Sequence, residues 1–256
     1  MPGARPGSSR PSTRDCCSRS SRSPPRAEGF RPDAVLGHSL GEYVAATVAG
    51  AMSFEDGLDL VMKQAHLLES RCCPGGMVGV LAPPSLYRRR RDLFTGLALA
   101  GVDFPTETTG NFVIGGEAER VTEARAVLDR EGVIAVRLPV RHGFHSGLVD
   151  GIRHECRSLG HAVAVKLPSL PVYSCAYAGE LDGAALPGWD DYAWDVVRGR
   201  VRFDELMATA FRDPARHYFV DLSASGSFVT SSGTARPRLP GRVRDQPVRQ
   251  QRGVSF

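Results

Sequence analysis

The apolar positions of this chain begin to keep a period near residue 30. Ala34-Val35-Leu36 is a short apolar run suited to a buried strand, and it empties into the turn Gly37-His38-Ser39-Leu40-Gly41. A helix is predicted from about residue 42 to 49. A second begins after Ser53, a side chain that can cap a helix, and carries Leu58, Leu60, Val61, Ala65 and Leu68 at helical spacing. Past Gly75-Gly76 the texture changes. Residues 77–81 read as a strand, 87–99 as a short helix after Pro83-Pro84, 112–114 as a strand, 118–130 as a helix and 133–140 as a strand. This β-α-β-α-β order predicts a small ferredoxin-like subdomain, 75–143, inserted into a larger domain made of 29–74 and 144–230. In the second part of that domain the pattern predicts helices at 148–159 and 204–211, and strands at 171–175 and 218–222. Beyond Thr230 the period is lost, and no internal repeat is found.

Composition changes this picture mainly at the ends. Residues 1–28 hold six Arg against Asp15 and Glu28, and residues 234–256 hold six Arg against Asp245. The net charge is only +4, so the segment between the tails is acidic and the basic character belongs to the ends. Both tails, 1–28 and 231–256, lack helical or strand period, and their one aromatic, the terminal Phe256, gives no series of rings to stack on bases; they read as disordered extensions, and no nucleic-acid partner is expected. The arginine run 88–91 reads as a solvated face, with docking of an acidic carrier protein as its other meaning. No run reaches the ~18 apolar residues of a membrane span, and the N-terminus lacks the apolar core of a signal peptide, so no membrane partner and a cytoplasmic location are expected. Cys16, Cys17, Cys72, Cys73, Cys156 and Cys175 have no zinc-like spacing and read as free thiols; neither metal nor cofactor is implied.

Candidate chemistry centres on Gly37-x-Ser39-x-Gly41. Between a strand and a helix it is the setting of a nucleophile elbow, in which glycines permit a tight turn and the helix N-terminus faces the reacting carbonyl. The Leu40 amide would then be an oxyanion donor. A serine hydroxyl needs a base, and spacing alone does not choose among the seven histidines.

Residues 30–43, ending Gly37-His38-Ser39-Leu40-Gly41-Glu42-Tyr43, resemble the active-site block of polyketide and fatty-acid synthase acyltransferase domains, the malonyl-CoA:acyl-carrier-protein transacylase family. His142-Gly143-Phe144-His145-Ser146 is similar to that family's His-Ala-Phe-His-Ser block. Gly75-Gly76-Met77, residues 112–116, Val201-Arg202-Phe203 and Phe219-Val220-Asp221 extend the likeness over roughly 29–230. The resemblance implies an α/β fold, a hydrolase-like parallel-sheet large domain carrying the small one. It implies Ser39 as acyl acceptor and His145 as general base, oriented by a backbone carbonyl. His38, His142, Phe144 and Gln64 would bind substrate, Phe144 being of the malonyl-selecting type. The implied substrates are acyl-CoA and the phosphopantetheine arm of an acyl carrier protein.

Three departures qualify that expectation. Gln64 stands where malonyl-selecting members carry a carboxylate-gripping Arg, and a neutral amide gives up about 1.5–3 kcal/mol of that grip. Gln there resembles the family's acyl hydrolase branch, which clears non-carboxylated acyl groups from carrier proteins. Only 36 residues precede Gly37, with nothing like the Gly-Gln-Gly-Ser-Gln segment that supplies a second oxyanion donor, so an incomplete N-terminus is expected. Glu107 stands where the family usually has Asn near its Val-Ile strand. Other classes stay open: a weak remnant or carrier-docking module, and an unrelated α/β-hydrolase, which would want an acid–His pair late in the chain, where only His217 is found.

Overall fold

The computed structural model describes residues 31–103, 110–181, 188–212, 217 and 219–222. The chain divides into two units, Met1–Asp33 and Ala34–Phe256. The second unit holds β1 (Val35–Gly37), α1 (Gly41–Val48), α2 (Phe54–Arg71), β2 (Gly75–Val80), α3 (Ser85–Arg89), β3 (Ala98–Val102), β4 (Phe112–Glu117), α4 (Ala118–Arg130), β5 (Ala135–Arg137), α5 (Arg153–His161), β6 (Val172–Ser174), β7 (Gly179–Glu180), α6 (Trp189–Arg198) and α7 (Phe203–Ala210). A 3₁₀ turn, Gly147–Ile152, leads into α5.

Two sheets organise them. In the first, β1 pairs in parallel with β6, Gly37 opposite Ser174, and β6 pairs antiparallel with β7. The parallel sheet expected from the resemblance is thus mixed among the described residues. Its helices bury Tyr43, Ala46, Ala49 and Leu60 against Val172 and Tyr192. Helix α2 starts where the sequence places it, because the Ser53 hydroxyl accepts the Asp56 amide at 3.0 Å and satisfies an otherwise orphaned donor. Its buried stripe, Gly57, Leu60, Gln64 and Leu68, follows the helical period.

The second sheet is antiparallel in the order β3-β4-β2-β5. Val78, Val80, Phe112 and Ile114 project into one core with Val121 and Leu128 of α4. One hydrogen-bonded link to the rest runs through Val201, whose amide donates to the Ala100 carbonyl at 2.8 Å beside a parallel bridge with Gly101.

Several elements differ from the sequence pattern. The helix expected over 87–99 ends at Arg89, and Ala98–Val102 is a strand. Gly96 has φ +77°, a left-handed turn that stops a helix, and the free edge of β4 recruits the following Ala- and Leu-rich run despite its helical propensity. Helix α6 has no counterpart in the expected elements. Yet Tyr192, Ala193, Val196 and Val197 are buried at helical spacing. Residues 219–222 form no strand. Tyr218, Glu107 and both basic tails lie outside the described residues. Cys72, Cys73, Cys156 and Cys175 are free thiols. No helix among the described residues is long and apolar enough to cross a membrane.

Candidate active site

The turn between β1 and α1 carries Ser39 at φ +52°, a left-handed conformation that costs a non-glycine residue about 1–2 kcal/mol. The two flanking glycines are not equivalent. A Cβ on Gly37 would stand 2.4 Å from Glu42 Cα, so the first turn of α1 can pack on the strand only if Gly37 has no side chain. A Cβ on Gly41 would meet nothing within 4 Å. Of the two glycines expected to permit the turn, only Gly37 is demanded by the packing. Leu40 stands at the N-terminus of α1, and its amide donates to no acceptor among the described residues.

His145 arrives from the other side, between β5 and the 3₁₀ turn, also in a left-handed conformation (φ +57°). Its amide donates to the Val197 carbonyl at 3.0 Å, and its ring Nδ1 lies 2.7 Å from the Gly199 carbonyl. A carbonyl only accepts, so Nδ1 carries the proton and Nε2 is left as an acceptor. Ser39 Oγ lies 2.9 Å from Nε2 and donates to it. The ring is 5% exposed. Burial pushes its pKa down to about 4, opposed by the Gly199 hydrogen bond and assisted by the nearby His38. His145 is therefore a neutral imidazole at neutral pH, able to take the serine proton.

The other expected site residues sit differently. His38 Nε2 faces Asp103 Oδ1 at 3.0 Å, with Asn111 donating to the other carboxylate oxygen. Gln64 is 3% exposed, and its amide nitrogen donates to Tyr43 Oη at 3.1 Å and the Ala193 carbonyl at 3.3 Å. His142 is buried, with Nε2 3.4 Å from a Glu69 carboxylate oxygen but no hydrogen bond of proper geometry at either ring nitrogen. Its ring meets Phe144 edge-on at 6.2 Å. Ser39 and His145 line a narrow surface crevice together with Glu42, Asp195, Gly199 and Arg200. Leu40, His38, Gln64, His142 and Phe144 are not among the residues that line this crevice.

Glu42, Asp195, Gly199 and Arg200 are not singled out by the sequence. Glu42 stands inside the quoted block, and Arg200 adjoins Val201-Arg202-Phe203; no spacing rule points to them, because their partners come from distant segments. Glu42 is 1% exposed. Its Oε1 accepts from Ser174 Oγ (3.1 Å) and the Ala176 amide (3.0 Å), and its Oε2 from Tyr192 Oη (2.7 Å). Burial nevertheless pushes its pKa up to about 7. Among the described residues no cluster of His, Cys, Asp and Glu is fit to hold a metal ion. The arrangement can activate a hydroxyl against an electrophilic carbonyl.

Comparison with known proteins gives the same direction. The family model described as the acyl transferase domain matches residues 24–232. The polyketide biosynthesis acyltransferase homolog BaeD of Bacillus velezensis is 36% identical over 202 residues, covering 78% of this chain and 59% of BaeD. The acyltransferase domain from module 8 of the salinomycin polyketide synthase is similar in structure, with TM-score 0.65 and 32% identity over 73% of this chain and 43% of that one. The malonyl-CoA:acyl carrier protein transacylase of Xanthomonas oryzae gives TM-score 0.62 and 27% identity over 71% of this chain and 58% of that one. The chain thus spans less than two thirds of the length of these relatives.

Proposed function

Because the chain belongs to the acyl transferase domain family, we propose that it takes an acyl group from a thioester of coenzyme A or an acyl carrier protein and holds it on Ser39. The observation that carries this reading is the relay Ser39 Oγ–His145 Nε2 at 2.9 Å and His145 Nδ1–Gly199 O at 2.7 Å. Ser39 Oγ attacks the thioester carbon while its proton passes to His145 Nε2. The Leu40 amide meets the developing oxyanion. Collapse breaks the C–S bond, and His145 returns the proton to the leaving thiolate. A second thiol, or water, then removes the acyl group by the same steps in reverse.

The order of β2, α3, β3, β4, α4 and β5 supports reading 75–143 as a ferredoxin-like subdomain within the larger α/β domain. Intact mass after incubation with an acyl-CoA or acyl-carrier thioester tests the function. The wild type gains the acyl mass, while Ser39→Ala and His145→Ala do not. A wild type that neither gains the acyl mass nor releases free thiol from the thioester would overturn the reading.

One observation favours a hydrolase version. The Gln64 amide nitrogen is committed to Tyr43 and Ala193, so this position offers no cation to a free carboxylate. Simple acyl thioesters should then be preferred to malonyl ones, and the acyl-Ser39 adduct should decay in water without a thiol acceptor. A marked malonyl preference in competition kinetics, or an adduct stable until a carrier thiol is added, would sink the hydrolase version.

A further inference from the structure

Glu42 is a buried ionisable group that the acyl-transfer steps do not use. It lies three residues after the nucleophile, and its amide donates to the Ser39 carbonyl at 2.9 Å. Its carboxyl group reaches two other segments. Oε1 is bound by Ser174 at the end of β6 and by the amide of Ala176, and Oε2 by Tyr192 on α6. Helix α6 and the residue after it hold both backbone acceptors of the base: Val197 O takes the His145 amide and Gly199 O takes Nδ1–H. From Tyr192 to Gly199 is about two helical turns, a rigid span of about 10 Å. One side chain therefore ties the first turn of the nucleophile helix to the helix that sets the imidazole.

We propose that Glu42 is a positioning residue for the Ser39–His145 pair, its carboxylate clamping α1 to the α6 segment from which the base is hung. The inference rests on Ser39 and His145 being the reacting pair. Tyr43, whose hydroxyl donates to Ala193 O at 3.1 Å, joins the same two helices independently, so loss of Glu42 loosens the register of α1 on α6 without separating them. The ionised carboxylate accepts all three donors. Protonation turns one oxygen into a donor and forces Tyr192 or Ser174 to reverse, so the clamp is tightest above about pH 7. The ionisable groups around it are Tyr43 on its own helix, Cys175 and Tyr177 after β6, and Tyr192 on α6. Lining the same crevice are Asp195, Arg200 and His145. Burial holds the thiol and the three phenols well above their usual ranges and His145 well below, leaving Glu42 the group whose shifted titration falls near pH 7.

Two readouts on Glu42→Gln, Glu42→Ala and Tyr192→Phe test this. The first is the rate at which a fluorophosphonate, a serine-directed reagent needing no acyl substrate, modifies Ser39. In the wild type the maximal rate rises with pH in two steps, near 4 and near 7. In Glu42→Gln it falls about tenfold at pH 8 and keeps only the lower step; Glu42→Ala loses about 10². Tyr192→Phe falls in the same direction, and reagent affinity is unchanged in all three. The second is the ring NMR signal of His145, whose Nδ1 proton is held by Gly199; it shifts or broadens in each variant whether or not Ser39 reacts. A wild type inert to the reagent whose variants still move the His145 signal would uphold the clamp and remove the acyl-serine reading. Folded variants with an unmoved His145 signal, or a retained step near pH 7 in Glu42→Gln, would overturn the clamp.

Discussion

At Ser39 the chain accepts a left-handed backbone to lift one hydroxyl toward His145, and the neighbouring glycines divide the labour unequally. Gly37→Ala should destabilise the fold by about 1–3 kcal/mol, since its Cβ would press on Glu42 backbone that cannot yield. Gly41→Ala, on open ground at the start of α1, should be neutral or stabilising by up to about 1 kcal/mol. Urea unfolding of the two variants checks the contrast, and equal losses would contradict it. The Ser39–His145 pair is legible in the sequence through its two ordered blocks. The polar partners are not: Glu42 meets groups 132 to 150 residues away, and Gln64 meets Tyr43 and Ala193, 21 and 129 residues away. Nothing local marks such pairings. Only the closed fold shows that Gln64 is turned to a phenol and a carbonyl.

Among the elements, those with their own punctuation are legible and those made by tertiary pairing are not. Helix α2 announces itself by Ser53, whose hydroxyl both accepts the Asp56 amide and donates to the Asp56 carboxylate at 2.7 Å. Ser53→Ala should cost about 1 kcal/mol, read as a lower urea midpoint with an unchanged slope; a change under a few tenths would mean the helix start is held by its packing alone. Strand β3 has no such mark. Its Ala98-Leu99-Ala100 run is helix-prone by composition, and only the open edge of β4 and the turn at Gly96 make it extended. Helix α6 carries a readable apolar period but many aromatic and β-branched residues, which weaken helical propensity.

For the whole molecule, Glu42 and His145 give opposing pH dependences. Glu42 is raised from 4.5 to about 7, so its contribution is full below about 4.5 and is lost as pH rises through 7. His145 is lowered from 6.5 to about 4, so its contribution is full above about 6.5 and is lost as pH falls through 4. Between these limits the slopes cancel. Glu42→Gln should expose the imbalance, its stability gaining on the wild type by roughly 3 kcal/mol from pH 4.5 to 7 in urea titrations; a constant difference would contradict the burial-driven titration. The division into two sheets is foreseeable from the change of texture at Gly75-Gly76, whereas their join is not. One bond of that join, the Val201 amide on the Ala100 carbonyl, falls two residues beyond the carbonyl that holds the imidazole. The four-stranded sheet thus acts as a buttress for the reacting centre. Heat or chaotrope that frays its edge strand would silence the serine while the elbow itself is still folded, and loss of activity would run ahead of melting.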